Sequence, residues 1–159
     1  MINLNEIEME KVKNEKDVVF IVEDNKLQQE ALQLHFEEVL GNYVVRIFPT
    51  PVDLIEHLDE GPFAVVLDHF FDPEAPTGLH YLKELRKTHP DTSIIYHTTL
   101  QDDGIRAEVM ALGAVDYILK DSTSMMRLRK ALDTIHKKNF IAPKRGFWKR
   151  IWEDYFVQG

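Results

Sequence analysis

Short apolar runs alternate with longer amphipathic segments, and this alternation restricts the possible fold more than any other feature. The runs are rich in β-branched and aromatic residues, as buried strands are, and comprise residues 18–22, 43–48, 63–67, 93–97 and 115–119. Helix-like segments follow at 26–40, from Thr50-Pro51 onwards, and at 78–87, 102–112 and 122–137. In 26–40, the apolar positions Leu27, Ala31, Leu34 and Phe36 recur at helical spacing. We therefore predict a doubly wound, five-stranded parallel α/β domain.

The composition disfavours several functional classes. The chain has no cysteine, which excludes disulfides and thiolate chemistry, and we expect a cytoplasmic location. Residues 1–16 are polar and lack the apolar core of a signal peptide, and we expect no membrane association. The net charge of −8 argues against general nucleic-acid binding, which needs a basic surface.

Polar side chains follow four of the five predicted strands. The first strand is followed by Glu23 and Asp24, the third by Asp68, the fourth by Thr98 and the fifth by Lys120. Taken singly, such an aspartate is usually a cap or turn residue, and such a lysine is usually solvated. Parallel strands, however, bring their carboxyl ends to one edge of the sheet, where ligands bind. We therefore expect these five residues to form one site.

The residue types suit phosphoryl transfer. Clustered carboxylates raise one another's pKa unless a cation holds them ionised, and Mg²⁺ prefers oxygen ligands of this kind. A lysine and a threonine hydroxyl can stabilise further anionic oxygens, as phosphoryl-transfer sites require. In such a site Asp68 would be the nucleophile and would form an acyl phosphate.

Four segments, in this order and spacing, resemble the receiver domains of two-component response regulators. They are VVFIVEDN (18–25), FAVVLDHFFDP (63–73), SIIYHTT (93–99) and GAVDYILK (113–120). The resemblance covers about residues 17–137 and implies a flavodoxin-like sheet with strand order 2-1-3-4-5. It implies that Asp68 is the phosphoacceptor.

The resemblance also implies the remaining roles in the site. Asp24, Asp68 and the backbone carbonyl of Phe70 would be direct Mg²⁺ ligands, and Glu23 would act through water. Lys120 would contact the phosphoryl group, and Thr98 would supply the switch hydroxyl. Tyr117 stands at a position where the family keeps an aromatic ring that swings inward on activation.

The implied partners are proteins. The donor would be a phosphohistidine on a sensor histidine kinase or a histidine phosphotransfer protein. The output would be a changed α4–β5–α5 face, residues 102–112 and 115–137, read by a downstream protein target. A phosphorelay intermediate or a phosphate sink is the alternative.

Departures from the family pattern carry expectations of their own. Gly78 lies ten residues after Asp68 rather than eight, which implies an insertion in the intervening loop. Asp121 follows Lys120 in place of the commoner proline, which puts the usual cis peptide in doubt. Phe70 and Leu100 are apolar where a water would approach the phosphorus, and we expect a long-lived phosphorylated state.

Two histidines lie near the predicted site in the sequence, and three other functions compete with a receiver. We assign His69 and His97 no role, because neither has a metal-ligand spacing with matching partners, and His97 faces away from the site. A Mg²⁺-dependent phosphatase of the haloacid dehalogenase type would need an aspartate where Phe70 stands. A flavodoxin would need a glycine- or hydroxyl-rich loop after the first strand. A receiver that has lost the ability to accept phosphate is disfavoured, because Asp24, Asp68, Thr98 and Lys120 are all present.

The segment after the predicted domain, residues 138–159, is basic and aromatic. Within it, residues 144–156 predict a short amphipathic helix whose aromatic face needs a cover. The chain's own domain, a second copy in a homodimer, and a partner protein remain open as that cover. The mixed charge of the polar face argues against a membrane surface. The segment is too short for a DNA-binding domain, and we expect a stand-alone receiver or a piece of a larger protein.

Overall fold

The computed structural model describes residues 15–141, and in that range strand and helix alternate five times. The strands are β1 (Asp17–Val22), β2 (Tyr43–Phe48), β3 (Ala64–Leu67), β4 (Ile94–Thr98) and β5 (Asp116–Leu119). The α-helices are α1 (Lys26–Leu34), α2 (Pro51–Ile55), α3 (Gly78–Thr88), α4 (Asp103–Ala111) and α5 (Ser124–Ile141). A π-helical turn, His35–Val39, continues α1, and a 3₁₀ turn, Leu58–Glu60, follows α2. The predicted order of elements is confirmed.

The five strands of the described range form one parallel sheet in the order β2-β1-β3-β4-β5, which is the predicted flavodoxin-like order. Val22 at the end of β1 pairs with Leu67 at the end of β3. Thr98 at the end of β4 pairs with Leu119 at the end of β5. Because these strands end at matching levels, the residues that follow them share one edge of the sheet.

Helices cover both faces of the sheet, as predicted for a doubly wound domain. Buried residues of α2, α3 and α4 share one apolar cluster with Phe20, Tyr96 and Tyr117. Buried residues of α1 and α5 share a second cluster with Ile21 and Ile95. Successive strand residues belong to opposite clusters, which is why the central strands are apolar on both faces.

The first helix departs from the expected pattern. Leu27 and Leu34 are 76% and 60% exposed, whereas Leu32 and Phe36 are fully buried. The helix therefore carries two apolar stripes, and the one that contains Phe36 packs on the sheet. The Phe36 ring lies 5.8 Å from that of Tyr43 on β2. Helical spacing alone could not decide which stripe the sheet would cover.

The start of α2 was predicted from its capping residues, and the structure confirms it. Oγ1 of Thr50 accepts a hydrogen bond from the backbone N–H of Asp53, at 3.3 Å, and Pro51 occupies the first turn. The fixed φ of proline and its missing N–H suit that position. Asp53 places a negative charge in the first turn, where the helix dipole favours it.

Arg86, near the end of α3, binds backbone carbonyl oxygens of two separate loops. Its Nε donates to Leu112 at 2.6 Å and its Nη2 to Gly113 at 3.0 Å, just after α4. Its Nη1 donates to Thr92 at 2.8 Å, just before β4. These hydrogen bonds satisfy carbonyl groups that no helix or strand pairs, and they fix α3 to the turn between α4 and β5.

The last described helix, α5, continues to Ile141, beyond the predicted end at residue 137. The predicted division between a domain at 17–137 and a segment at 138–159 therefore falls within α5 and stays a prediction. The amphipathic helix predicted at 144–156 lies outside the described residues, as does most of the polar segment 1–16. Within 15–141, no helix has both the length and the apolar character that crossing a bilayer requires.

Candidate functional site

The carboxyl edge of the sheet brings Glu23, Asp68 and Lys120 together, as the strand-end pattern predicts. Glu23 follows β1, Asp68 follows β3 and Lys120 follows β5. Nζ of Lys120 lies 2.5 Å from Oε2 of Glu23 and 2.5 Å from Oδ2 of Asp68. The three side chains are 9% exposed or less. One ammonium group thus bridges two carboxylates at a site with little access to water.

The charges of this cluster depend on one another. Burial alone would lower the pKa of Lys120, but its hydrogen bonds to Asp68 and Glu23 outweigh burial and hold that pKa above its usual value. Burial raises the pKa of Glu23, and the hydrogen bond from Lys120 opposes burial without cancelling it. Lys120 is therefore cationic at neutral pH and supplies the positive charge that two buried carboxylates demand.

The other oxygen of Asp68 faces the backbone of its own loop. Oδ1 accepts from the N–H of His69 at 2.5 Å and lies 3.5 Å from the N of Phe70. The loop then returns to α3, where Gly78 lies against it. A Cβ on Gly78 would lie 1.9 Å from the carbonyl oxygen of Asp68 and 2.9 Å from the phenol oxygen of Tyr96. Only a residue without a side chain permits this approach.

Thr98 ends β4 on the same edge and is fully buried. Its Oγ1 accepts from the N–H of Leu100 at 3.1 Å, and its carbonyl oxygen accepts from the N–H of Lys120 at 2.8 Å. A hydroxyl has one donor and two acceptor positions, so its own hydrogen remains free to donate into the site. The peptide bond from Lys120 to Asp121 is trans, like the others in residues 15–141.

The ring of Tyr117, on β5, points into the protein and is 1% exposed. Its phenol donates to the carbonyl oxygen of Leu100 at 2.7 Å. The same loop residue therefore binds Thr98 through its N–H and Tyr117 through its carbonyl group. The predicted switch hydroxyl and switch aromatic are joined by Leu100.

The residues predicted to hold a metal ion are only partly brought together. Glu23 and Asp68 share Lys120, whereas the side chain of Asp24 is exposed, as is that of Phe70 at 48%. No three acidic or histidine side chains within residues 15–141 form a ready-made metal cluster. In kind, three carboxylates and the Phe70 carbonyl are the hard oxygen ligands that Mg²⁺ prefers.

A buried pair of polar residues next to Asp68 was missed by the sequence analysis. Nδ1 of His69 lies 2.6 Å from the phenol oxygen of Tyr96, and the two residues are 6% and 0% exposed. The Tyr96 ring stacks on that of Tyr117, with centroids 5.4 Å apart and 15° between the planes. Strand alternation was the available signal, because it places Tyr96 and Thr98 on the same face of β4.

His97 faces away from the site, as predicted, on the side of β4 opposite Thr98. It is 1% exposed, and its Nε2 has no hydrogen-bond partner in the described part of the chain. Burial, assisted by the positive charge of Lys120, lowers the pKa of His97 to about 3. The ring is therefore neutral at physiological pH.

The loop between Asp68 and Gly78 contains two acidic residues at the surface. Asp72 and Glu74 within it are exposed. Oδ1 of Asp72 accepts from the N–H of Glu74 at 2.9 Å, which closes a turn. These two acids therefore shape the loop at the surface.

Chemically, the arrangement is that of a carboxylate nucleophile with stabilisers for an incoming anion. Asp68 has one oxygen beside a lysine ammonium and the other beside backbone N–H groups. The hydrogen of the Thr98 hydroxyl is available nearby on the same edge. Fixed positive charge and oriented donors of this kind stabilise the charge that develops on transferred phosphoryl oxygens.

Comparison with known proteins identifies similar chains. A family model described as "Response regulator receiver domain" matches residues 19–133. The transcriptional regulatory protein YdfI of Bacillus subtilis is 31% identical over 106 residues, covering 67% of this chain and 49% of YdfI. The probable C4-dicarboxylate response regulator DctR of Halalkalibacterium halodurans is 27% identical over 115 residues, covering 72% and 49%. The chain spans about half the length of these two relatives.

The fold of the chain is also similar to that of a receiver domain whose structure has been solved. The BeF3-activated receiver domain of DrrB is 25% identical to the chain, with a TM-score of 0.60. The match covers 74% of this chain and 98% of that domain. The similarity therefore extends over nearly the whole of a receiver domain.

Proposed function

Because the chain belongs to the response regulator receiver domain family of two-component signalling systems, we propose that Asp68 accepts a phosphoryl group and that the chain acts as a phosphorylation-dependent switch. The observation that carries this proposal is the setting of Asp68. Asp68 is 6% exposed, with Lys120 Nζ at 2.5 Å from one carboxylate oxygen and the backbone N of His69 at 2.5 Å from the other.

The proposed reaction is a transfer between two covalent carriers. An oxygen of Asp68 forms a bond to the phosphorus of a phosphohistidine while the P–N bond to the donor imidazole breaks. The imidazole nitrogen keeps the electron pair of that bond and takes a proton from water. The product is an acyl phosphate on Asp68. Lys120, which already contacts Asp68, and the hydroxyl of Thr98 then bind phosphoryl oxygens, which draws the loop that carries Thr98 toward the modified carboxylate.

We propose that this reaction uses Mg²⁺, held by the carboxylates of Asp24 and Asp68 and the carbonyl oxygen of Phe70, with Glu23 acting through water. Bound there, the ion supplies positive charge that offsets the carboxylates and the phosphoryl oxygens. The exposed position of Asp24 means that its carboxylate must turn toward Asp68 to take part.

We propose protein partners on both sides of the switch. The donor is a phosphohistidine on a sensor histidine kinase or a histidine phosphotransfer protein. The output is the face formed by α4, β5 and α5, read by a downstream protein target or by a second copy of the chain. The relative YdfI is named a transcriptional regulatory protein. For the present chain, with a net charge of −8, we propose no direct contact with nucleic acid.

Two expectations from the sequence stay predictions. One is that the chain is a stand-alone receiver or a piece of a larger protein. The two curated relatives are each about twice as long as the matched part. The other is a cytoplasmic location. Neither is needed for the proposed chemistry at Asp68.

Intact-mass measurement tests the proposal directly. The chain is incubated with Mg²⁺ and phosphoramidate, whose P–N bond stands in for that of phosphohistidine. We expect the wild type to gain the mass of one phosphoryl group and Asp68→Asn to gain none. Asp72→Asn, an exposed acid in the same loop, is the matched control and should behave as the wild type. Equal gain in Asp68→Asn, or none in the wild type, would overturn the proposal.

A second measurement avoids the need for a donor. The structure of DrrB was obtained in a BeF3-activated form. We expect the amide NMR signals around Asp68 and Leu100 of the present chain to shift when BeF3⁻ and Mg²⁺ are added together. The same additions should leave the signals of Asp68→Asn unchanged.

A further inference from the structure

His69 and Tyr96 form a buried hydrogen bond between the end of β3 and the middle of β4. The distance from Nδ1 to the phenol oxygen is 2.6 Å, across 27 positions of sequence. Burial raises the pKa of Tyr96, so its phenol stays protonated. With the ring proton of His69 on Nε2, that phenol donates to Nδ1. A donor and an acceptor that are both buried cost free energy if either loses its partner, which makes this contact a strong constraint on the His69 side chain.

The contact constrains the surroundings of Asp68 through the backbone. The N–H of His69 donates to Oδ1 of Asp68, and its carbonyl oxygen accepts from the N–H of Gly78 at 2.9 Å. The His69 ring also packs edge-on against the ring of Phe70, with centroids 4.7 Å apart. With its side chain bound to Tyr96, His69 cannot rotate its peptide without breaking these interactions.

On its other side, Tyr96 continues to the loop after β4. Its ring stacks on Tyr117, whose phenol binds the carbonyl oxygen of Leu100. The N–H of Leu100 binds Oγ1 of Thr98. A continuous series of contacts therefore joins the backbone beside Asp68 to the hydroxyl of Thr98 through the protein interior.

The series is closed into a ring by Lys120. Its ammonium binds Oδ2 of Asp68, and its backbone N–H binds the carbonyl oxygen of Thr98. Both oxygens of Asp68 are thus connected to the end of β4, one through Lys120 and the other through His69, Tyr96 and Tyr117. Two series of contacts, rather than one, therefore join Asp68 to the end of β4.

We infer that His69 is a positioning residue for Asp68, held in place by Tyr96, and that this pair couples the acceptor to Tyr117 and Leu100. The inference rests on the proposed phosphorylation of Asp68. It gives Tyr96 a role beyond core packing, because a phenylalanine would fill nearly the same volume and keep the ring stack. The hydroxyl is the part of Tyr96 that acts on the site.

Three variants separate positioning from packing. Tyr96→Phe removes the donor and keeps the ring. His69→Leu removes the acceptor. His69→Asn keeps an acceptor, because its Oδ1 takes the place of Nδ1. We expect Tyr96→Phe and His69→Leu to gain phosphoryl mass from phosphoramidate and Mg²⁺ about 5- to 10-fold more slowly than the wild type, as expected for one lost hydrogen bond. His69→Asn should stay within about twofold of the wild type.

Amide NMR supplies the readout of coupling. In Tyr96→Phe, the shift of the Leu100 amide on addition of BeF3⁻ and Mg²⁺ should be less than about half of that in the wild type, because one of two routes is lost. Urea unfolding confirms that each variant is folded under the assay conditions. If Tyr96→Phe does not fold, the rates of His69→Asn and His69→Leu decide.

The outcomes distinguish this inference from the proposed function. A wild type that neither gains mass nor responds to BeF3⁻ overturns the proposed function. A wild type that gains mass, with Tyr96→Phe or His69→Leu gaining it equally fast, overturns the inference alone. Equal slowing in His69→Asn and His69→Leu also overturns it, because the acceptor atom would then be irrelevant.

Discussion

The ammonium group of Lys120 lies 2.5 Å from Oδ2 of Asp68, although 52 positions separate the two residues in the chain. The same ammonium binds Glu23, and the three side chains are 9% exposed or less. The interior thus holds two carboxylates around one cation. Such a cluster is more sensitive to the loss of its cation than a surface pair is, because the remaining charges have little water to solvate them.

Replacing Lys120 with methionine should therefore destabilise the fold. We expect Lys120→Met to lower the free energy of unfolding by about 3 kcal/mol at neutral pH, the usual cost of removing one partner from a buried ion pair. Urea unfolding measures it. Lys83→Met is the matched control, because Lys83 and Glu108 also lie 2.5 Å apart but are 46% and 44% exposed. It should cost about 0.5 kcal/mol.

A double variant checks the cause of that loss. In Lys120→Met with Glu23→Gln, a neutral amide replaces one of the two carboxylates. Part of the lost free energy of unfolding should then be recovered. A double variant no more stable than Lys120→Met would show that lost packing, rather than carboxylate repulsion, explains the effect.

We expect the apolar side chain of Phe70, near Asp68, to lengthen the lifetime of the proposed acyl phosphate. The Phe70 ring packs on that of His69, beside Asp68 in the chain, and a phenyl group neither donates nor accepts a hydrogen bond that could orient a water. We expect Phe70→Asn to lose phosphoryl mass about tenfold faster than the wild type, because an amide can orient an attacking water. Phe70→Leu, which stays apolar, should decay at nearly the wild-type rate. Equal decay in Phe70→Asn and the wild type contradicts the expectation.

Gly78 should tolerate no side chain. A methyl group at this position would lie 1.9 Å from the Asp68 carbonyl oxygen, and backbone atoms cannot move aside cheaply. We expect Gly78→Ala to lower the free energy of unfolding by about 3 kcal/mol, measured in urea. Gly104→Ala in α4 is the control, because its Cβ would meet only the Asp102 side chain, at 3.2 Å. That variant should stay within about 1 kcal/mol of the wild type, because the helix preference of alanine offsets the close contact with Asp102.

His97 should make stability fall in acid. Its pKa is lowered by burial to about 3, whereas an unfolded histidine binds a proton below about pH 6.5. Between these values the unfolded chain holds the extra proton, so stability is lost as pH decreases, by up to about 1.4 kcal/mol per pH unit. We expect His97→Leu to show a shallower decline than the wild type when urea midpoints are measured from about pH 7 to pH 4. Parallel declines in the two proteins would be the contrary result.

Much of this structure could be predicted because its signals are local. Five apolar runs, a proline after Thr50 and polar residues at four strand ends each depend on a few neighbouring positions. The parallel topology then brings Glu23, Asp68 and Lys120 together, because strand ends share an edge. Their convergence follows from fold class alone.

What could not be predicted depends on pairings across the fold. Predicting the hydrogen bond between His69 and Tyr96 would require knowing the register of β3 against β4 and the path of the loop that leaves Asp68. The choice of the Phe36 stripe over the Leu34 stripe depends on what α1 meets on the sheet. Asp24 is another case, since its side-chain direction is a rotamer that sequence does not specify.

The hydrogen bonds of Arg86 have a consequence for how α4 can move. They tie the residues just after α4, Leu112 and Gly113, to the end of α3. The other end of α4 follows the loop that contains Leu100. The backbone of Leu100 is hydrogen-bonded to the side chains of Thr98 and Tyr117. A rearrangement of α4 should therefore pivot near Arg86, with the largest displacement at the first turn. A partner protein that binds one state in preference to the other should therefore contact the first turn of α4, beside Asp103.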